Sequence, residues 1–467
     1  MSRRRPRRAA GHGICAGPAL ALPVVALLAG CGGGSGGPGV PSAPATPATP
    51  ATAEVAISVD PSRTRQAIED VGGGNFIHTF AQVTSGLEAI GRFNLDGLQP
   101  RHIRLRMALE AWEPENDDAD PGRAAAGGFR DDGFNHGAFL LAQEAAARGI
   151  ELTASIWDVP GWLVTNPASA QNRKIPPSLY PELAESMAEW LRRARDVYGA
   201  EVAYVSFNEA DIGVNVSLTP GEYAGLIAEV TPRLAARGLR VRWLLGDCSN
   251  MASCVAYARP IWEDAAARPY LGVFAFHTWD ASASDAVLTS LYDFGRATSL
   301  PMRATEGGWD SALWQRPDQF PTWTNALRLA TVYLRVLKLT GASTLQYWQM
   351  LGHDYSLNDG AVGYPAWQVL QQLQQQIPAG AQVVETAGDR GLLYSLAVRD
   401  GGEVALFLVN AGAQEQALAL GGLPAGSYRR LQSTAAGVAQ ELTPVSAAGT
   451  VSLALPTESV TVLTTRR

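Results

Sequence analysis

The chain has 467 residues, more than one ordinary hydrophobic core organises, so a large domain with a smaller module is expected. Hydrophobic residues make up 46% and charged residues 17%, a balance normal for a globular protein. The formal net charge of −7 argues against a nucleic-acid partner, which calls for a basic face.

The N-terminus reads as an address. Residues 3–8 supply a basic region and 18–29 an apolar one, too short to span a bilayer. Leu28-Ala29-Gly30-Cys31 then has the form of a bacterial lipobox, so 1–31 is expected to be a lipoprotein signal with Cys31 lipidated; an ordinary signal peptide or a transmembrane anchor is the alternative. The stretch 32–53 is rich in Gly and Ser, then in Pro, Ala and Thr, and fits a tether. The expected location is outside the cytoplasm, on the cell envelope, touching membrane through the lipid alone. With Cys15 in the leader, Cys248 and Cys254 remain, six residues apart and with no His or Cys nearby to suggest a metal. In an exported protein that pair reads as a disulfide.

Residues 54–60 alternate like a strand and stand ahead of the main pattern, free to pair with a later sheet. From residue 67 onward, apolar strand-like runs alternate with helical stretches. The first run, 67–76, enters the turn Gly72-Gly73-Gly74; no G-K-[ST] follows, so close backbone approach explains these glycines better than a phosphate cradle. The second, 101–107, places Arg104 and Arg106 on one face by the two-residue period. The acidic stretch 113–120 matches no calcium-loop spacing and reads as solvated. Then come 151–157, emptying into Asp158-Val159-Pro160-Gly161-Trp162; 202–207, ending in Asn208-Glu209; 240–246; 271–277, ending in His277-Thr278-Trp279; 300–306, ending in Thr305-Glu306; and 343–349 with Tyr347-Trp348-Gln349. Helices are expected at 137–148, 180–198, 219–237, 324–340 and 365–376, the third entered through a Thr219–Glu222 capping box. This predicts a (β/α)8 TIM barrel over 54–376. After Ile377-Pro378 short strands recur at 392–398, 403–409, 416–420, 427–433, 451–455 and 459–464, which predicts an all-β sandwich over 377–467.

Chemistry concentrates at two strand tips. A β/α barrel keeps its catalytic groups at the C-terminal ends of its strands. Glu209 and Glu306 are separated by roughly three βα units of about 30 residues each, which assigns them to the fourth and seventh barrel strands. Two carboxylates facing each other across a barrel mouth meet the requirement of glycosidic bond cleavage. Twelve Trp suit either core packing or stacking on sugar rings.

These stretches together resemble the clan A glycoside hydrolases, and the layout from about residue 55 to the end is similar to glycoside hydrolase family 30. The resemblance rests on Asn208-Glu209, on Thr305-Glu306, on Ser155-Ile156-Trp157-Asp158-Val159-Pro160-Gly161-Trp162, on Phe276-His277-Thr278-Trp279, on Tyr347-Trp348-Gln349 and on the C-terminal strands. It implies a retaining mechanism with Glu209 as acid/base, Glu306 as nucleophile and Asn208 on the sugar 2-hydroxyl. It further implies Trp157 and Trp348 as a sugar platform, with His277 and Trp279 flanking the nucleophile. Arg104 or Arg106 is expected to hold Glu306 ionised by proximity. Asp158, Val159 and Ala210-Asp211 depart from the family's pattern in stretches lining the sugar site, so the sugar does not carry over. Another clan A activity, such as an α-L-arabinofuranosidase or β-xylosidase, uses the same two glutamates; a carbohydrate-binding surface lipoprotein on an inactive barrel is the non-enzyme alternative. Six His without a His-x-His pair disfavour a metal-dependent barrel hydrolase. A monomer acting on carbohydrate, with neither metal nor cofactor, is expected.

Overall fold

The computed structural model describes residues 54–77, 87–125 and 127–466. The signal, Cys31 and the tether lie outside the described residues. Among the described residues no helix is long and apolar enough to cross a membrane.

The first strand, β1 (Val55–Ala67), belongs to the second sheet, and the chain then enters a closed parallel barrel. Its strands are β2 (Asp70–Phe76), β3 (His102–Arg106), β4 (Glu151–Ile156), β5 (Val202–Phe207), β6 (Arg242–Cys248), β7 (Leu271–His277), β8 (Met302–Gly307) and β9 (Thr344–Tyr347). β2 pairs with β9 to close the ring, with Gly74 opposite Tyr347. The strands are buried on both faces, which is why they read as continuous apolar runs. At Gly74 a Cβ would stand 2.3 Å from Met350 Cγ, so the glycine there serves close approach.

Helices wrap the barrel as their apolar stripes require. The helix Pro220–Ala236 opens with the expected capping box: Glu222 N donates to Thr219 Oγ1 at 3.3 Å, and Thr219 N donates to Glu222 Oε2 at 2.7 Å. The acidic stretch is exposed or half-buried over residues 114–120, and its first residue departs from the solvated reading. Glu113 is only 1% exposed, packed against the helix Tyr180–Tyr198, whose Glu182 and Glu185 are also buried.

The C-terminal region holds β10 (Gln382–Ala387), β11 (Leu393–Asp400), β12 (Glu403–Asn410), β13 (Gln416–Gly421), β14 (Gly426–Thr434), β15 (Gly437–Ala447), β16 (Val451–Leu455) and β17 (Ser459–Thr464). They form one ladder with β1, in the order β15-β14-β17-β12-β11-β10-β1-β13-β16. All nine strands give side chains to a shared interior that includes Ile57, Leu406, Leu418, Tyr428, Leu453 and Leu463, so the sandwich is a single sheet folded over its own core. β1 runs antiparallel to β10 and parallel to β13. The outer faces of β11, β12 and β17 (Leu396, Phe407, Val462) pack into the barrel's core instead. Trp323 Nε1 donates to Glu458 O at 2.6 Å across the same seam.

Candidate active site

At the barrel mouth the strand tips converge on Arg104, which is fully buried on β3. A guanidinium has five N–H donors in a fixed fork, and here each finds its own acceptor. Nε donates to Ser155 Oγ (2.8 Å), Nη1 to Asn75 Oδ1 (3.0 Å) and Glu306 Oε1 (2.7 Å), and Nη2 to Asn208 Oδ1 (2.6 Å) and Asp247 Oδ2 (2.7 Å). One side chain thus ties β2, β3, β4, β6, β8 and the tip of β5 together. Arg106, the other candidate partner of Glu306, pairs with Glu110 and lies over the Phe134 ring, away from both glutamates. The two-residue period puts both arginines on one face, but Arg106 is two residues nearer the rim and meets the helix that follows its strand.

Glu306 is buried, and its second oxygen accepts from Trp279 Nε1 at 3.1 Å. Glu209, beyond the end of β5, has φ +47°, a left-handed conformation that non-glycine residues rarely hold outside functional turns. His277 at the end of β7 links the two: its Nδ1 lies 3.0 Å from Glu209 Oε1 and 3.3 Å from Glu306 Oε2. Its Nε2 lies 3.3 Å from Asp247 Oδ1. Trp157 carries the Arg104 guanidinium 4.5 Å from its ring, and Trp348 stands 6.2 Å from Trp157 at 36°. Both indoles are partly exposed at the mouth. The structure therefore brings Glu209, Glu306, Asn208, His277, Trp279, Trp157, Trp348 and Arg104 into one site and leaves Arg106 outside it.

Burial alone would neutralise these groups, and their pairing opposes that. Burial disfavours charge on His277, but Glu306, Asp247 and Glu209 outweigh it and push its pKa up to about 10. For Asp247 burial works upward, yet Arg104 and His277 hold the carboxyl well below the usual range. Glu306 is raised by burial and by Glu209, while His277 and Arg104 restrain the rise. One donor atom each from Glu209, His277 and Glu306 falls within 4.8 Å of the others, a spacing a cation could also use. The chemistry of this set favours hydrogen bonding: a charged imidazole offers no lone pair, and Arg104 already occupies Glu306 Oε1.

Asp247 was not singled out in the sequence, nor were Asn75, Ser155, Ser206 and Thr305 as site residues. The signal for Asp247 was an acid at the tip of the fifth barrel strand, in a stretch that otherwise announces the cysteine pair. Cys248 and Cys254 are bonded, with Cα atoms 5.5 Å apart.

No family model and no curated protein sequence matches the chain. Solved structures do. The chain is similar to a GH30 endoxylanase from Clostridium papyrosolvens C71, with TM-score 0.68 and 17% identity over 87% of this chain and 99% of that one. The catalytic domain of GH30 xylanase C from Talaromyces cellulolyticus matches with TM-score 0.67 and 17% identity, over 88% and 99%. A GH39 β-xylosidase from Caulobacter crescentus matches with TM-score 0.57 and 14% identity, over 88% and 99%. The fold is that of the family 30 glycoside hydrolases. The likeness spans 87% of this chain and 99% of the endoxylanase.

Proposed function

We propose that the chain is a retaining glycoside hydrolase acting on β-glycosidic bonds of a polysaccharide or glycoconjugate, with Glu209 as acid/base and Glu306 as nucleophile. The observation that carries this reading is the pair of glutamates at the mouth of a closed parallel barrel, with one oxygen of each within 4.8 Å. Retaining enzymes hold their carboxyls about 5–5.5 Å apart, whereas inverting ones leave about 6.5–9.5 Å for a water.

Glu306 attacks the anomeric carbon, and the bond to the leaving oxygen breaks as Glu209 donates its proton to that oxygen. Glu209, now a carboxylate, then takes a proton from water, whose oxygen displaces Glu306 and restores both groups. Arg104 and Trp279 fix the two oxygens of Glu306, which orients the nucleophile before substrate arrives. Arg104 also holds Asn208 Oδ1, leaving the amide N–H2 as the end to meet a sugar hydroxyl. Trp157 and Trp348 offer apolar faces for the ring.

The fold likeness to a GH39 enzyme supports a β-xylosidase as the second reading, using the same glutamates. Export and lipid anchoring through Cys31 belong to the same proposal, supported by the lipobox and by a disulfide of the kind that persists in oxidising compartments. Replacing Cys31 with Ser should move the protein from the membrane fraction to the soluble one.

The test is hydrolysis by residues 54–467 of aryl β-glucoside, β-xyloside, β-galactoside and α-L-arabinofuranoside, and of β-glucan and xylan. Turnover of one substrate, lost in Glu209→Ala and Glu306→Ala, is expected. A well-folded protein silent on all of them favours the carbohydrate-binding alternative.

A further inference from the structure

Asp247 takes no part in the two-glutamate chemistry, yet it is among the most heavily bonded groups in the molecule. Its Oδ2 accepts from Arg104 Nη2 and from Ser206 Oγ, both at 2.7 Å, and its Oδ1 accepts from Thr305 Oγ1 at 2.6 Å while facing His277 Nε2 at 3.3 Å. Its backbone is constrained as closely. Asp247 has φ +54° and Gly246 φ +97°, and a Cβ on Gly246 would stand 2.8 Å from Ala275 O and 3.1 Å from each sulfur of the disulfide. Glu209 N donates to Asp247 O at 3.2 Å, so the acid/base candidate hangs from the same residue.

The two ring nitrogens of His277 therefore have different tasks. An ionised carboxylate accepts and cannot donate, so Nε2 must carry the proton facing Asp247. That fixes Nδ1 toward both glutamates, at 3.0 and 3.3 Å. The charged groups around the ring are Glu209, Glu306 and Asp247, with Asp211 further out on Ser249 and Arg104 on the far side of Asp247. The charge of Arg104 faces Asp247 and Glu306, and that of His277 faces Glu306 and Asp247; the glycosidase reading makes Glu209 the proton donor.

We propose that Asp247 is a positioning residue acting through His277: it pins Nε2–H, so that one Nδ1–H serves Glu306 while Glu306 is ionised and Glu209 once Glu209 has given up its proton. This rests on the glycosidase reading and deepens it. In the first half-reaction the negative charge leaves Glu306, which becomes an ester, and appears on Glu209, which has lost its proton to the leaving group. The imidazolium already touches both oxygens, so its hydrogen bond passes from one to the other without movement of the ring. The second half-reaction reverses the transfer as Glu209 takes its proton from water. The charged imidazole this requires agrees with the upward push of Glu306 and Asp247, the two neighbours that stay ionised before reaction.

Asp247→Asn tests the arrangement, because an amide offers one acceptor oxygen to four donors. The expected result is a kcat lower by about 10²-fold with KM little changed, and an alkaline limb of kcat/KM that moves to lower pH. A loss of activity with the limb unmoved would mean that Asp247 only supports the fold, and would overturn the proposal; so would unchanged activity. If the variant does not fold, 15N spectra of the wild-type imidazoles decide. Both His277 nitrogens protonated at pH 8, with the signal assigned by its loss in His277→Gln, is the expected outcome, and a neutral ring or an unprotonated Nε2 overturns it. Silence of the wild type on every glycoside would instead remove the glycosidase reading, and the 15N result would still report on Asp247 and His277.

Discussion

Arg104 shows how much one residue can decide. Its five donors are saturated, so Arg104→Lys replaces a planar fork with an ammonium that has three donors, leaving acceptors in a buried site unpaired. The expected result is a loss of about 10²-fold in kcat, since donors that pre-orient charge in a dry site are worth that much; steady-state kinetics on the active substrate checks it. His277 gives a pH dependence with a definite sign. Its folded pKa is raised from 6.5 to about 10, so the stability it contributes is complete below pH 6.5 and is lost as pH rises through 10. Chemical denaturation between pH 7 and 10.5 should show that decline, and His277→Gln should flatten it. At this scale the sequence revealed Asn208, Glu209 and Glu306 because each ends an apolar run in a polar residue. Asp247 stayed hidden because its direction depends on two successive left-handed residues, which the two-residue strand period does not encode.

Among the elements, the loop after β3 and the helix Tyr180–Tyr198 hold a costly arrangement. Burial, assisted by Asp117, raises the pKa of Glu185 to about 8 with only Arg237 opposing, and burial raises that of Glu113 to about 7. Neither oxygen of Glu185 has a hydrogen-bond partner. An acid whose pKa is raised on folding binds its proton more tightly in the native state, so stability falls as pH climbs from about 4.5 toward 8. Glu185→Gln should raise stability at pH 8 by about 1–3 kcal/mol and flatten that slope, as urea denaturation at several pH values would show. The run 113–120 reads as solvated because six of its eight residues have acidic or amide side chains; the burial of Glu113 comes from tertiary packing, and no local pattern carries it. The strand β15 is hidden in the sequence for a related reason. β15 is an edge strand whose side chains are mostly exposed, so main-chain pairing with β14 holds it and apolar alternation is absent.

In the whole molecule, the N-terminal strand is stitched into the C-terminal sheet while the outer faces of β11, β12 and β17 complete the barrel's core. The side sheet therefore braces the barrel and is not an appendage on a linker. Phe407, fully buried on β12, faces the barrel side, and Phe407→Ala should cost about 3–5 kcal/mol and lower activity in parallel with stability, as denaturation and kinetics on one preparation would show. The barrel was legible because eight doubly buried strands alternate with amphipathic helices, and both glutamates were placed on their strands by that count alone. The single folded-over ladder was not, since strand order in an antiparallel sheet rests on pairings distant in sequence.

In the proposed mechanism Glu306 forms a covalent bond to the sugar while Glu209 shuttles the proton. The most direct measurement is intact-protein and peptide mass spectrometry after incubation with 2-deoxy-2-fluoro-β-glycosides bearing an activated leaving group, across the glucosyl, xylosyl and galactosyl series. One added glycosyl mass is expected on the peptide containing Glu306, absent in Glu306→Ala. Active turnover with inversion at the anomeric centre, or an adduct on any other residue, would contradict this mechanism.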